Sequence, residues 1–395
     1  MTTQSQRSVN PYWLVQDDCR IDEFARLVDR ATTLRDYPLA TEVRANVLVY
    51  DCEAVRRSLA SDDVRKALLA EWGEAFMHGP GLIVLSGAFS RLDAVDAATR
   101  VFQELITEQR AQSTGGGDHF AKPGANDRIW NALEKLCLRE PAVFAAYYAN
   151  DMFALVSEAW LGPAYQITSQ VNVVNPGGDA QLPHRDYHLG FQTPDLIERY
   201  PAHVHRLSPV LTLQGAVAHC DMPLHSGPTL YLPYSQTYGP GYLAWQRPEF
   251  REYFDRYHVQ LPLKRGDAVF FNPALFHAAG SNCSTDIYRS ANLLQISSAY
   301  GRAMESVDRV RMSIALYPVL RSLRTDGLLS DMECANAIAA CAEGYSFPTN
   351  LDRDPPLGGL APQTQQALML KALHEDWDVP TFSAAIEAQA RRRAT

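Results

Sequence analysis

No stretch of 18 or more apolar residues occurs in the 395-residue chain, so the sequence offers no membrane-spanning helix. Clustered positive charge is equally scarce. The formal net charge is −9, and the terminal "ARRRAT" is too short to offset it, so no nucleic acid or membrane partner is expected. The seven cysteines are scattered, odd in number and without a CxxC pair, which argues against a disulfide framework or a structural zinc site. Reduced thiols in a cytoplasm fit that usage. The opening "MTTQSQRSVNPYW" has no basic segment followed by an apolar run, so no secretory leader is expected. Internal repeats, low-complexity tracts and the HExxH and HxHxDH zinc signatures are absent too. What is left is an ordinary globular composition with ample length for a large core.

Periodicity divides the chain in three. Residues 1–164 read as mainly helical support. "SDDVRKALLAEWGEAF" (61–76) and "RLDAVDAATRVFQELITEQRAQ" (91–112) repeat apolar residues at helical spacing, and "GPGLIVLSGAF" (79–89) reads as a buried strand between them. The glycine-rich 113–127 is expected to be a loop, and 128–162 gives two helices broken near Pro141. From 165 to 300 the period becomes 2. "YQITSQVNVVNPG" places Gln170 and Asn172 on one face and Val171 and Val173 on the other, and four further short strand-like runs follow. An all-β barrel or sandwich is predicted there, and 301–395 returns to helices. The expected architecture is one catalytic domain over 1–395, an all-β core with added helices before and after it.

The chemistry concentrates in "LPHRDYHLGF" (182–191), where His184, Asp186 and His188 are three potential metal ligands within five positions. On a strand, i and i+2 share a face, so His184 and Asp186 can grip one ion. His188 joins them only if the strand continues, and "HLGFQTPD" suggests that the chain leaves it. A later segment, "KRGDAVFFNPALFHAAGSNCSTDIYRS", carries a hairpin signal, an apolar strand, His277 and then Arg289. Two histidines and one carboxylate make a facial set that leaves coordination positions open, as non-haem Fe(II) enzymes require. An always-charged arginine forks onto a carboxylate such as the far end of 2-oxoglutarate.

In "PHRD", "SGPTLYLPYS", "KRGDAVFFNPALFH" and "YRSANLLQIS" the sequence resembles the phytanoyl-CoA dioxygenase family, over about 165–300 and more loosely ahead of it. The resemblance implies a double-stranded β-helix (jelly roll, cupin-like) flanked by N- and C-terminal helices. It implies Fe(II) held by His184, Asp186 and His277, 2-oxoglutarate as cosubstrate paired through Arg289, and O2 as oxidant. Gln170, Asn172 and Lys122 are the candidates for further cosubstrate contacts. Tyr187, His188 and Phe191, in an aromatic-rich insertion, are candidates for the substrate side. The implied reaction oxidises, by expectation hydroxylates, an unactivated C–H of a small organic molecule, in specialised metabolism, with release of succinate and CO2. Asp186 is retained, which argues against halogenation. Where the family commonly has Pro-Gly-Ser-His, this chain reads "PYSQ" (233–236). The loop 113–127, the insertion 188–206 and the C-terminal helices are expected to form lid and substrate walls, and the apolar helices after 303 are expected to pair subunits. Two other readings compete: a zinc-dependent hydrolase built on His184 and His188, and a non-catalytic cupin-like binding module.

Overall fold

The structure is a computed structural model that describes residues 12–112 and 124–394. Its strands are β1 (Glu42–Arg44), β2 (Val47–Asp51), β3 (Leu82–Ser86), β4 (Asn126–Ile129), β5 (Gln166–Val174), β6 (Thr212–Ala218), β7 (Leu230–Leu232), β8 (Val259–Gln260), β9 (Ala268–Phe271), β10 (Phe276–Ala278) and β11 (Arg289–Ser297). They form a mixed eight-stranded sheet in the order β1-β2-β3-β9-β6-β11-β5-β4 and a three-stranded sheet in the order β10-β7-β8. The β2–β3 pair is parallel.

Alternation in the long strands decides what each face of the large sheet meets. Ile167 and Val171 of β5, Leu213 and Val217 of β6, and Leu294 and Ile296 of β11 are buried in the main apolar core. Gln170, Asn172, Gln214, Ala216, Ala291 and Leu293, at the intervening positions, line a cavity on the other face. The core side is covered by helices that include Asp62–Met77, Leu92–Ala111, Pro141–Tyr148, Asp151–Leu161, Arg309–Thr325 and Asp331–Cys341. Each large apolar side chain buried there is worth about 1.5–3 kcal/mol. The small sheet is backed by a second cluster in which Phe24 meets Phe250 and Phe276 at ring distances of 5.2 and 5.1 Å.

One polar chain threads the main core. Asn292 Nδ2 donates to the Tyr147 hydroxyl oxygen at 3.2 Å, and His219 Nε2 lies 2.9 Å from that oxygen. His219 Nδ1 lies 2.7 Å from Thr99 Oγ1, whose own proton goes to the Val95 carbonyl at 2.7 Å. Because a carbonyl only accepts, Nδ1–H must donate to Thr99, and burial, which disfavours the charged ring, leaves Nε2 to accept from Tyr147.

Several sequence expectations need correction. The helical and β segments do not divide at 164/165, because β1 to β4 all come from the first part and join the large sheet. The stretch 113–127 is not wholly loop: Asn126 and Asp127 begin β4, held by β5 through the Asn126↔Val174 register. Residues 128–162 carry three helices, not two. Pro141 starts the middle one as expected, and a second break falls at Asn150, whose side chain caps Asp151–Leu161. The C-terminal helices are not cavity walls. Met312, Leu316, Tyr317, Ala337 and Ile338 turn inward and are buried in the main core.

Candidate active site

The site forms where the 182–186 segment runs beside β10. His184 N donates to the His277 carbonyl at 3.0 Å, His277 N returns the bond at 3.2 Å, and Asp186 N donates to the Pro273 carbonyl at 2.9 Å. This pins His184 and Asp186, two residues apart and so on one side of an extended segment, against His277. The extended run then ends abruptly. Tyr187 and His188 take φ values of 62° and 45°, the left-handed region that non-glycine residues rarely enter, and a short helix His188–Phe191 begins. That turn removes His188 from the face that His184 and Asp186 share.

His184, Asp186 and His277 each offer a ligand atom, and these atoms all lie within 4.8 Å of one another. Both imidazoles are set by the main chain. His184 Nδ1 lies 2.9 Å from the Leu182 carbonyl and His277 Nδ1 2.9 Å from the Leu275 carbonyl, so each Nδ1 carries the proton and donates it. Their Nε2 atoms face the carboxylate, at 3.7 Å from His184 to Oδ1 and 3.4 Å from His277 to Oδ2. Gln214 Nε2 donates to Asp186 Oδ2 at 2.5 Å. Burial opposes the Asp186 charge, but the His184 and His277 rings and the Gln214 amide outweigh it and hold the carboxyl well below the usual carboxylate range. Two imidazole Nε2 atoms and a carboxylate oxygen, converging at the cavity wall, suit a divalent transition ion.

The cavity measures about 660 Å³, within the range of small-molecule sites. Arg289, at the start of β11, lines it and is 6% exposed. Its Nη1 donates to the Gly280 carbonyl at 3.3 Å, and among the described residues no carboxylate pairs with it. Burial pulls its pKa down to about 10, with Cys220 and Tyr231 acting the other way. A buried cation without an anion is costly, so this one is poised for an anionic ligand.

The other sequence candidates divide. Gln170 and Asn172 line the cavity, but Arg128 donates to Gln170 Oε1 and Asn126 Nδ2 donates to Asn172 Oδ1 at 3.3 Å. Phe191 lines it and is 54% exposed, at its rim. Tyr187 is buried and does not line it; its hydroxyl donates to Met304 Sδ at 3.1 Å. His188 does not line it either. Lys122 lies outside the described residues. Sequence reasoning overlooked Gln214, Trp130, Trp245, Arg251 and Met304, all on the cavity wall. For Gln214 a signal existed: in "TLQGAVA" it is an amide inside an apolar strand, on the face of Ala216 and Ala218.

No curated protein sequence matches the chain. Solved structures with a partial likeness include the non-haem α-ketoglutarate-dependent epimerase SnoN from nogalamycin biosynthesis, at 18% identity and TM-score 0.42, covering 59% of this chain and 82% of that one. The carbocyclase SnoK from the same biosynthesis matches at 17% identity and TM-score 0.41, covering 60% and 84%. EvdMO1 matches at 16% identity and TM-score 0.41, covering 58% and 50%. Residues 55–291, more than half of the chain and a span that includes the His184–Asp186 pair, His277 and Arg289, match the model of the phytanoyl-CoA dioxygenase family. The chain belongs to that family, and it is an Fe(II)/2-oxoglutarate-dependent dioxygenase, with O2 as the third reactant.

Proposed function

We propose that His184, Asp186 and His277 hold the Fe(II), that Arg289 takes the C5 carboxylate of 2-oxoglutarate, and that the enzyme hydroxylates a C–H bond of a small organic molecule. The observation that carries this is the conjunction of three convergent donors and one buried, unpaired guanidinium on the wall of a single cavity. The two sheets that face each other across the cavity would be the halves of a double-stranded β-helix. The seven cysteines are free thiols, which suits a reducing cytoplasm.

Bound together, Fe(II), 2-oxoglutarate and O2 supply oxidative decarboxylation to succinate and CO2 coupled to oxidation of a substrate C–H. The protein's own part is positional. The Leu182 and Leu275 carbonyls accept the Nδ1 proton of each imidazole and so turn Nε2 inward. Gln214 orients the Asp186 carboxylate from one oxygen. Arg289 neutralises and aligns the distal carboxylate in a buried setting where its charge is little screened. Tyr231, Val269 and Phe271 line the same cavity with apolar surface that excludes water.

Anaerobic addition of Fe(II) and 2-oxoglutarate should produce a weak visible charge-transfer band, and oxygen should then release succinate. Asp186→Ala should lose the band, while His188→Ala should keep it. Absence of both band and succinate from the folded wild-type protein would overturn the assignment.

A further inference from the structure

Besides Arg289 the cavity wall carries Arg128, which donates to Gln170, Arg185, which donates to the Ser235 and Tyr238 carbonyls, and Arg251, which iron and cosubstrate leave unused. Arg251, in the helix Pro248–Tyr257, lines the cavity beside Trp245 and is half-buried. Its guanidinium carbon lies 5.9 Å from the Trp245 ring centroid, and its Nε donates to the Trp245 carbonyl at 3.4 Å. Among the described residues no carboxylate lies within ion-pair distance of Arg251, whereas Arg247, one turn earlier, is paired with Glu249 at 2.7 Å. The Trp245 indole N–H is also buried without an acceptor. One cation and one neighbouring donor on this wall therefore lack an anion or an oxygen. The lining also carries two further aromatic rings: Phe191 is 54% exposed, and Trp130 lies under Arg128 at 4.7 Å.

We propose that Arg251 and Trp245 form the substrate's recognition subsite, and that the substrate is a flat, ring-bearing molecule with a carboxylate. The carboxylate is taken by the Arg251 fork, and the ring lies against Trp245 and Phe191. Arginine presents two parallel N–H groups that match a carboxylate, and stacking on tryptophan holds that fork in place before the ligand arrives. A half-buried cation at the wall of a low-dielectric cavity also draws anions into a chain whose net charge is −9. Arg289 serves the cosubstrate in the reading above, so Arg251 is free to discriminate substrates. This inference rests on that reading in one respect only, that the cavity is the reaction chamber.

Equilibrium dialysis of the full-length protein against 2-naphthoate and its uncharged methyl ester tests it without iron. Excess 2-oxoglutarate is present, so that a naphthoate merely occupying the Arg289 position is displaced. Wild type should retain the acid about tenfold or more tightly than the ester, the scale of one charge-assisted hydrogen bond. Arg251→Gln should abolish that preference, Arg251→Lys should restore part of it, and Trp245→Leu should weaken both ligands. Equal retention of acid and ester by wild type, a preference that survives Arg251→Gln, or displacement by 2-oxoglutarate would each overturn the proposal. An acid preference in a protein that shows no charge-transfer band would instead uphold the subsite and refute the iron assignment.

Discussion

Replacing Gln214 by leucine removes one hydrogen bond and one unmet acceptor at once, and the two have opposite consequences. The amide donates to Asp186 Oδ2 at 2.5 Å, a bond to a charged acceptor worth roughly 1.5–3 kcal/mol. Its own Oε1 is buried without a donor, and such an unsatisfied group costs about 1–3 kcal/mol. Leucine has similar bulk and no polar atom, so loss and relief nearly cancel in the metal-free protein, and its melting temperature should move by only a few degrees. Asp186 also keeps both imidazoles as partners at 3.4 and 3.7 Å.

Metal binding has no such cancellation. With Oδ2 held by Gln214, the carboxylate that would hold the metal is already fixed in rotation. Without the amide the group must be ordered when the ion binds, and loss of an outer partner of this kind typically costs 10–100-fold in metal affinity. Anaerobic titration of Fe(II) in the presence of 2-oxoglutarate, followed through the charge-transfer band, measures this directly. A dissociation constant within threefold of wild type would refute the positioning role. So would a fall of more than about 10 °C in the melting temperature of the metal-free variant, since the residue would then be holding the fold instead of the ligand.

Arg289→Gln should raise the KM for 2-oxoglutarate at least about 30-fold, since truncating one partner of a buried charge pair costs roughly 2–5 kcal/mol, and leave Fe(II) binding alone unchanged. Its thermal stability without cosubstrate should equal or exceed wild type, because a buried unpaired cation is removed. His219 is held neutral by burial, with its pKa pulled down to about 3, against about 6.5 in the unfolded chain. Between those values only the unfolded state takes up the proton, so stability must fall as pH is lowered from 6.5. Urea unfolding should show wild type losing about 2 kcal/mol more than His219→Gln between pH 6.5 and 5, and equal losses would refute it. Gly241→Ala would place a Cβ 1.9 Å from Arg185 Cζ, whose guanidinium is boxed in by the Ser235 and Tyr238 carbonyls. Overpacking there should cost about 2–3 kcal/mol in urea unfolding.

The proposed ligand set and Arg289 could be picked out as candidates because each depends on local order. His184 and Asp186 are two residues apart on an extended segment, and His277 and Arg289 follow a strand whose start is marked by Gly266-Asp267. Asp267 accepts from Lys264 N and Gly87 N, both at 2.8 Å, so the hairpin signal is also a tie to the neighbouring chain. The departure of His188 was legible for the same reason: glycine and proline nearby announce that the strand stops, and positive φ at Tyr187 and His188 is how it stops. The edges of the large sheet were not. β1 and β4 are three and four residues long, too short for a period to show, and exist because β2 and β5 offer them unpaired edges.

The substrate side was hidden for a different reason. Of that side of the cavity wall only Phe191 was picked out; Trp130, Trp245, Arg251 and Met304 come from three widely separated segments, and each sits where its own neighbourhood suggests something else. Trp130 stands just ahead of a helix, and Arg251 sits on a surface helix. Catalytic ligands must be held at fixed spacing by one or two strands, so chemistry writes them into short motifs. A substrate wall needs only that side chains of the right kind arrive together, and any loops that the scaffold brings to the cavity mouth can supply them. The family match therefore transfers the iron and cosubstrate chemistry, while the substrate must be argued from this chain's own wall. There the unpaired Arg251 on Trp245 is the most specific feature, since a half-buried guanidinium is kept in place by the aromatic ring and leaves its fork for an acid.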